Sequence, residues 1–394
     1  MIPIIILTLT CISAVNFVII TADDLGTGDI KYAPFIKELS QKSTIFNHVW
    51  GASVCAPSRY MLFTGIETYN SDIKGNSYKN IVPQNNFIVK IQQQYNYTTI
   101  ISGKYGFGPI TTGFDKSYIL QSHKDAHFAF PKYILENNHI VQLNKQINKR
   151  LCLSGKCKSV DIESLKFTLK AIEENRDNKF IIYDMPLYNH INTFNGKNYG
   201  YFVDSYENIS TKYNDDYRGY LAMIIKIDKR VKEIYNKLEN LNILDKTVLI
   251  ITSDNGAELY YERGRPTFKD PFNSRDGRKG NKRSMYEGGL NVPFIMHIKN
   301  RKPEINNTPF TFAKVSNLIE NIINQQSLLI NKDKFIKSEY CEQRCSYAIL
   351  DTTTYDKLVY QNNRYELYNI KSDPFETKII NNITIIDYLK NIFN

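Results

Sequence analysis

Apolar residues along this chain follow two alternating rhythms. Four short runs rich in β-branched residues, 16–21, 98–102, 179–184 and 247–252, have the length and composition of strands buried on both faces. Stretches with helical spacing lie between them. The clearest covers 216–241, where Leu221, Ile224, Ile225, Ile227, Val231, Ile234, Tyr235 and Leu238 form one apolar stripe. Strands alternating with helices predict an α/β fold, a large mixed, mostly parallel sheet flanked by helices. Beyond about 306 the rhythm changes to a helix near 312–324, short alternating runs at 347–351, 357–360 and 365–367, and a last helix at 383–393. The expected division is therefore a large domain over 15–305 and a small C-terminal α+β subdomain, an antiparallel sheet plus helix, over 306–394.

In an open α/β sheet the loops beyond the carboxyl ends of the strands lie side by side and form the ligand crevice. Asp23-Asp24, Lys104, His190 and Asp254-Asn255 each follow one of the four runs and are expected to converge.

Length and composition, 394 residues with 42% hydrophobic and 23% charged, allow one large core plus an appendage. The net charge of +10 suits an anionic partner. Basic residues are dispersed outside 263–283, and no basic motif with interleaved aromatics points to nucleic acid. Residues 1–14 are apolar, carry no charge and end Ile12-Ser13-Ala14, which resembles a signal peptide and is shorter than the roughly 20 residues of a membrane anchor. The expectation is a secretory route to the exterior or a lysosome-like compartment, without stable membrane insertion. Cys11 would leave with that segment. Cys152 with Cys157 and Cys341 with Cys345 then read as two short-loop disulfides, preferred over a zinc site. Sequons at Asn96, Asn208, Asn306 and Asn382 fit the same route.

Asp23, Asp24, Asp254 and Asn255 offer hard oxygen ligands suited to calcium or magnesium. Either pair alone would read as a turn; at two strand ends together they read as a metal site. Cys55 stands just before a helix start marked by Pro57, where backbone amides favour an anion, and Arg59 adds a planar cationic fork.

The run Cys55-Ala56-Pro57-Ser58-Arg59, followed by Leu62-Phe63-Thr64-Gly65, resembles the sulfatase signature read by the formylglycine-generating enzyme. Segments at 16–26, 99–108, 220–256, Tyr286-Glu287-Gly288-Gly289 and 366–376 resemble that family in the same order. The resemblance implies an alkaline-phosphatase-like fold and hydrolysis of sulfate monoesters, on a sulfated sugar or glycan. It implies that Cys55 becomes formylglycine and that Asp23, Asp24, Asp254 and Asn255 hold a divalent cation, usually Ca2+ with Mg2+ as the alternative, which residue 55 also meets. Arg59 would hold the hydrated aldehyde, Lys104 and Lys282 the sulfate oxygens, and His190 would stand near the leaving oxygen. One hydroxyl of the hydrate would attack sulfur, and collapse of the other would expel sulfate. Protonation of the leaving alkoxide falls to His190, or to Lys282 if its surroundings lower its pKa. The chain departs from the family at Gly106, where a histidine is usual two residues after Lys104; His123 and His127 are the candidate substitutes. The 24–55 interval is also short. A phosphatase or phosphodiesterase of the same superfamily and a degenerate sulfated-glycan binder are the competing readings.

Overall fold

The four apolar runs become the central strands of a single ten-stranded sheet. The computed structural model describes residues 15–393 apart from 77–85, 109–110, 112, 121, 123–124, 128, 147–155, 191–214, 259–260, 263–264, 267–269, 326–332 and 343. Across the sheet the strands run Glu304–Asn306, Thr44–Phe46, Phe294–His297, Thr247–Ser253, Asn16–Ala22, Phe180–Met185, Thr98–Gly103, Lys116–Ile119, Tyr133–Glu136 and His139–Gln142. The five from Thr247–Ser253 to Lys116–Ile119 are mutually parallel, and antiparallel strands flank them. Every residue of Asn16–Ala22, Phe180–Met185 and Thr247–Ser253 is buried, as unbroken apolar runs require when helices cover both faces. In register, Ile20 pairs with Asp184 on one side and Ile251 on the other, so the three strands end at nearly one level.

Two apolar layers enclose the sheet. On one face the Asp215–Asn240 helix buries Tyr220, Ile224, Ile227, Val231, Ile234 and Leu238, each contributing roughly 1.5–3 kcal/mol. On the other, the Cys55–Thr64 and Phe87–Tyr95 helices pack with Phe310, Phe312, Leu318 and Ile319. No described helix is long and apolar enough to cross a membrane.

The C-terminal sheet is antiparallel, with strands Phe335–Cys341, Cys345–Asp351, Asp356–Gln361 and Arg364–Asn369, and the Ile383–Phe393 helix buries Leu389 against it. Its first strand escapes the hydrophobic pattern because only Ile336 and Ser338 are buried. The expected boundary at 306 cuts through continuous packing. Glu304–Asn306 pairs with Thr44–Phe46, Phe310–Thr311 pairs with Val49–Trp50, and the Val315–Ile323 helix belongs to the main core. The large body therefore extends through Ile323. Cys341 and Cys345 are joined as expected; Cys157 is disulfide-bonded, and Cys152 lies outside the described residues.

One buried charge pair ties the long helix to the end of a central strand. Arg230, 1% exposed, donates from Nε to Asp184 Oδ2 at 2.6 Å and from Nη2 to Asp184 Oδ1 at 2.5 Å, while Nη1 bonds the Asp161 carbonyl at 2.6 Å. Arg230→Ala leaves Asp184 charged and unmatched in the core, so urea denaturation should show a loss of about 3–5 kcal/mol.

Candidate active site

The Cys55–Thr64 helix starts after Val54 in extended backbone, with Pro57 in its first turn, where a missing N–H costs no intrahelical bond. Ser58 Oγ accepts the Ala52 N–H at 2.5 Å and holds the entering loop. Cys55 is 1% exposed, and its Sγ donates to Asp23 Oδ1 at 3.4 Å. The next residue, Ala56, donates its N–H to Asn76 Oδ1 at 3.3 Å. Burial, reinforced by Asp23 and Asp254, pushes the thiol well above its ordinary pKa, so the sulfur keeps its proton and is a poor nucleophile as it stands.

Three buried carboxylates meet three buried cations, each cation closest to a different carboxylate, and Arg59 Nη2 also lies 3.8 Å from Asp23 Oδ2. Lys104 Nζ donates to Asp23 Oδ2. Lys282 Nζ lies 2.7 Å from Asp24 Oδ1 and 2.8 Å from Oδ2. Arg59 gives Asp254 Oδ2 two hydrogen bonds, from Nε at 3.1 Å and Nη2 at 2.8 Å, and turns Nη1 to the Lys104 carbonyl at 2.6 Å. The main chain aligns these groups, since Lys104 N–H donates to the Met185 carbonyl, Asp23 N–H to that of Tyr188 and Asp254 N–H to that of Ala22. Asp24 sits at φ 63°, a left-handed conformation that aspartate tolerates, and this bend lets adjacent carboxylates serve different cations.

The set fits a hard divalent cation. One ligand atom from each of Asp23, Asp24, Cys55 and Asp254 lies within 4.8 Å of the others. Asn255 Nδ2 donates to Asp24 Oδ1 at 2.6 Å, while its buried Oδ1 has no hydrogen-bond partner among the described residues. An orphaned acceptor beside clustered carboxylates is what a cation would satisfy. Asp23 is held well below the usual range because Lys104, His190, Arg59 and Lys282 together outweigh its burial. Asp24 is pushed up to about 7, by burial first, with Asp23, Asp254 and Glu258 adding to it against Lys282.

His190 is 5% exposed, and a ring nitrogen lies within 4.8 Å of an Asp23 carboxylate oxygen and of Cys55 Sγ. Asp23, Asp24, Cys55, Arg59, Lys104, His190, Asp254, Asn255 and Lys282, expected to converge, thus lie in one cluster. The condition attached to Lys282 fails, however: burial would lower its pKa, but Asp24 and the other anions nearby hold it well above the ordinary value. It retains its proton and is a poor acid.

Gly106 is built into the backbone. Its φ is +92°, and a Cβ there would meet Arg59 Cδ at 3.0 Å, so a histidine at this position would be strained and would crowd the arginine. His123 and the side chain of His127 lie outside the described residues. Two neighbours were not foreseen. Glu258 is buried 3.9 Å from Lys282 and 2.5 Å from Arg283, and its place four residues after Asp254 was a usable signal. Asn76 offered none, since only folding brings it to Ala56.

A family model described as Sulfatase matches residues 15–325. An N-acetylgalactosamine-6-O-sulfatase of Bacteroides thetaiotaomicron is 23% identical over 363 residues, covering 71% of this chain and 67% of its own length. An arylsulfatase of Hemicentrotus pulcherrimus is 23% identical over 323 residues, covering 72% of this chain and 53% of that protein, so the chain spans between about half and two thirds of these relatives. Among solved structures, one described under glycosaminoglycan metabolism by Bacteroides thetaiotaomicron superimposes with a TM-score of 0.76 at 18% identity, covering 96% of this chain and 98% of its own. Another, bound to its substrate D-glucosamine-2-N,6-O-disulfate, gives 0.71 at 14% identity, covering 96% and 97%. A signature first read at Cys55 thus extends to the whole fold, and the chain belongs to the sulfatase family of sulfuric ester hydrolases.

Proposed function

We propose that this chain hydrolyses sulfate monoesters of a sulfated sugar or glycan, using formylglycine formed from Cys55 and a divalent cation, Ca2+ by preference, held by Asp23, Asp24, Asp254 and Asn255. The observation that carries this reading is the ring of three carboxylate–cation pairs around residue 55. Those six groups sum to zero formal charge. Binding a dication would make the site positive, as needed to receive an anionic sulfate ester and the charge that develops on its oxygens. The glycan class is supported by the relatives above, an N-acetylgalactosamine-6-O-sulfatase and a structure holding a disulfated glucosamine.

A hydrated aldehyde at residue 55 would supply one hydroxyl to attack sulfur and a second whose collapse releases sulfate. Arg59, locked by Asp254 and the Lys104 carbonyl, orients residue 55 without spending entropy during the reaction. Lys104 and Lys282 remain protonated and bind the sulfate oxygens. His190 is the group that gives a proton to the departing sugar oxygen, because imidazole exchanges protons near neutral pH and the lysines hold theirs. The Cys341–Cys345 disulfide supports maturation along an oxidising secretory route with the formylglycine-generating enzyme as partner.

In protein co-produced with that enzyme, peptide mass spectrometry should find an aldehyde at residue 55; cysteine alone there would sink the mechanism. Lys282→Ala should lower kcat/KM for an aryl sulfate by about 100-fold or more, with aryl phosphate remaining the poorer substrate throughout. Calcium at about 100 times its Kd should stabilise the fold by roughly 2.7 kcal/mol, read as a rise in Tm that EDTA reverses. Asp254→Ala should abolish that rise, and a rise that persisted would place the cation elsewhere.

A further inference from the structure

Close to the proposed sulfate site the surface holds a separate cavity of about 390 Å3, lined by Arg275, Arg278, Lys279, Tyr368, Phe375 and Ile379 among others. We propose that it is a distal subsite for a second acidic sugar, bearing sulfate or carboxylate, of the glycan whose ester is cleaved. This rests on the sulfated-glycan reading and goes beyond it by naming where the rest of the chain would lie.

The lining is both cationic and apolar. Phe375 and Ile379 are 44% and 54% exposed, unusual for large apolar side chains, and both border this cavity. An exposed ring offers a face for the C–H side of a sugar, while guanidinium groups suit its anionic substituents. The cations are positioned without being exhausted. Arg275 Nε is anchored to Asp270 Oδ2 at 3.1 Å, and Lys279 Nζ to Glu366 Oε2 at 2.7 Å. Arg278 donates from Nη1 to Thr27 Oγ1 and Asp276 Oδ2, both at 3.0 Å, and among the described residues it spends only Nη1. Its Nε and Nη2 remain for a ligand. The carboxylate in the lining, Glu376, is engaged by the fully buried Lys357 at 2.8 Å and is turned away from a ligand's anionic groups.

Position links the two sites. Lys279 precedes Lys282 by three residues, a span of at most roughly 11 Å of extended chain. From the other side, Arg278 bonds Thr27, three residues beyond the carboxylate of Asp24 that holds Lys282. The cavity therefore borders both loops that build the proposed sulfate site, at a separation that an oligosaccharide can bridge.

Titration of Cys55→Ala protein with a chondroitin 6-sulfate tetrasaccharide and with galactosamine 6-sulfate, followed by calorimetry, tests the proposal apart from turnover. Arg278→Ala in that background should weaken the tetrasaccharide about tenfold and move the monosaccharide less than twofold. Phe375→Ala, an independent variant should the first unfold, should also weaken the tetrasaccharide selectively, whereas Lys299→Ala on another surface should change neither. Equal losses for both ligands, no loss for the tetrasaccharide, or equal competition by a polyphosphate of the same charge would overturn the subsite. Sulfate release by the wild-type protein reports separately on the catalytic reading, because a sulfatase lacking the subsite would release sulfate yet show no selective effect of Arg278→Ala.

Discussion

The site depends on one electrostatic constraint. Asp23, Asp24 and Asp254 are all fully buried within a few ångströms of one another, which the interior tolerates only if each negative charge is matched. The matches come from three directions: Arg59 from the Cys55–Thr64 helix, Lys104 from the end of the Thr98–Gly103 strand and Lys282 from the loop that leads to the Glu287–Leu290 helix. Helix, sheet and loop are thereby fixed relative to one another by the charged groups of the candidate site. Losing one cation leaves a carboxylate unpaired in the interior, so the fold itself depends on these pairs.

The C-terminal sheet is part of the same construction. Lys357, fully buried, bridges Glu287 and Glu376 at 2.8 Å each, and Glu287 also accepts the Trp50 indole N–H at 3.0 Å. Glu287 opens the short Glu287–Leu290 helix, against which the Lys282 loop is folded: Gly288 N–H donates to the Lys279 carbonyl at 2.7 Å. A Cβ at Gly288 would lie 2.4 Å from the Gly280 carbonyl oxygen, so this approach needs glycine. The appendage thus holds the loop that delivers Lys282. It also supplies Tyr368, Phe375 and Ile379 to the neighbouring cavity.

Much of the site was legible before folding because it sits at the ends of strands that announce themselves. Runs buried on both faces leave a continuous apolar signal, and the first polar residues after them are forced to one edge of the sheet. That reasoning placed Asp23, Asp24, Lys104, His190 and Asp254 together without any contact information. The strands of the large sheet outside the central four, three or four residues long, are too short to show a period, and Phe335–Cys341 is too polar. The boundary expected at 306 failed for a related reason. A change of rhythm marks a change of element type, whereas a boundary depends on which core the elements join.

The sequence by itself determined the α/β alternation, the residue types that meet at the strand ends and the signature at Cys55, because those follow from local periodicity and chemistry. Tertiary structure alone decided the pairings. The order of the ten strands, the partner of each carboxylate, the approach of Asn76 to Ala56 and the crowding of Arg59 against Gly106 all depend on residues tens to hundreds of positions apart. So does the proton-holding state of Lys282. A lysine's charge balance is set by the anions that folding brings to it, and its neighbours in the chain do not contain that information.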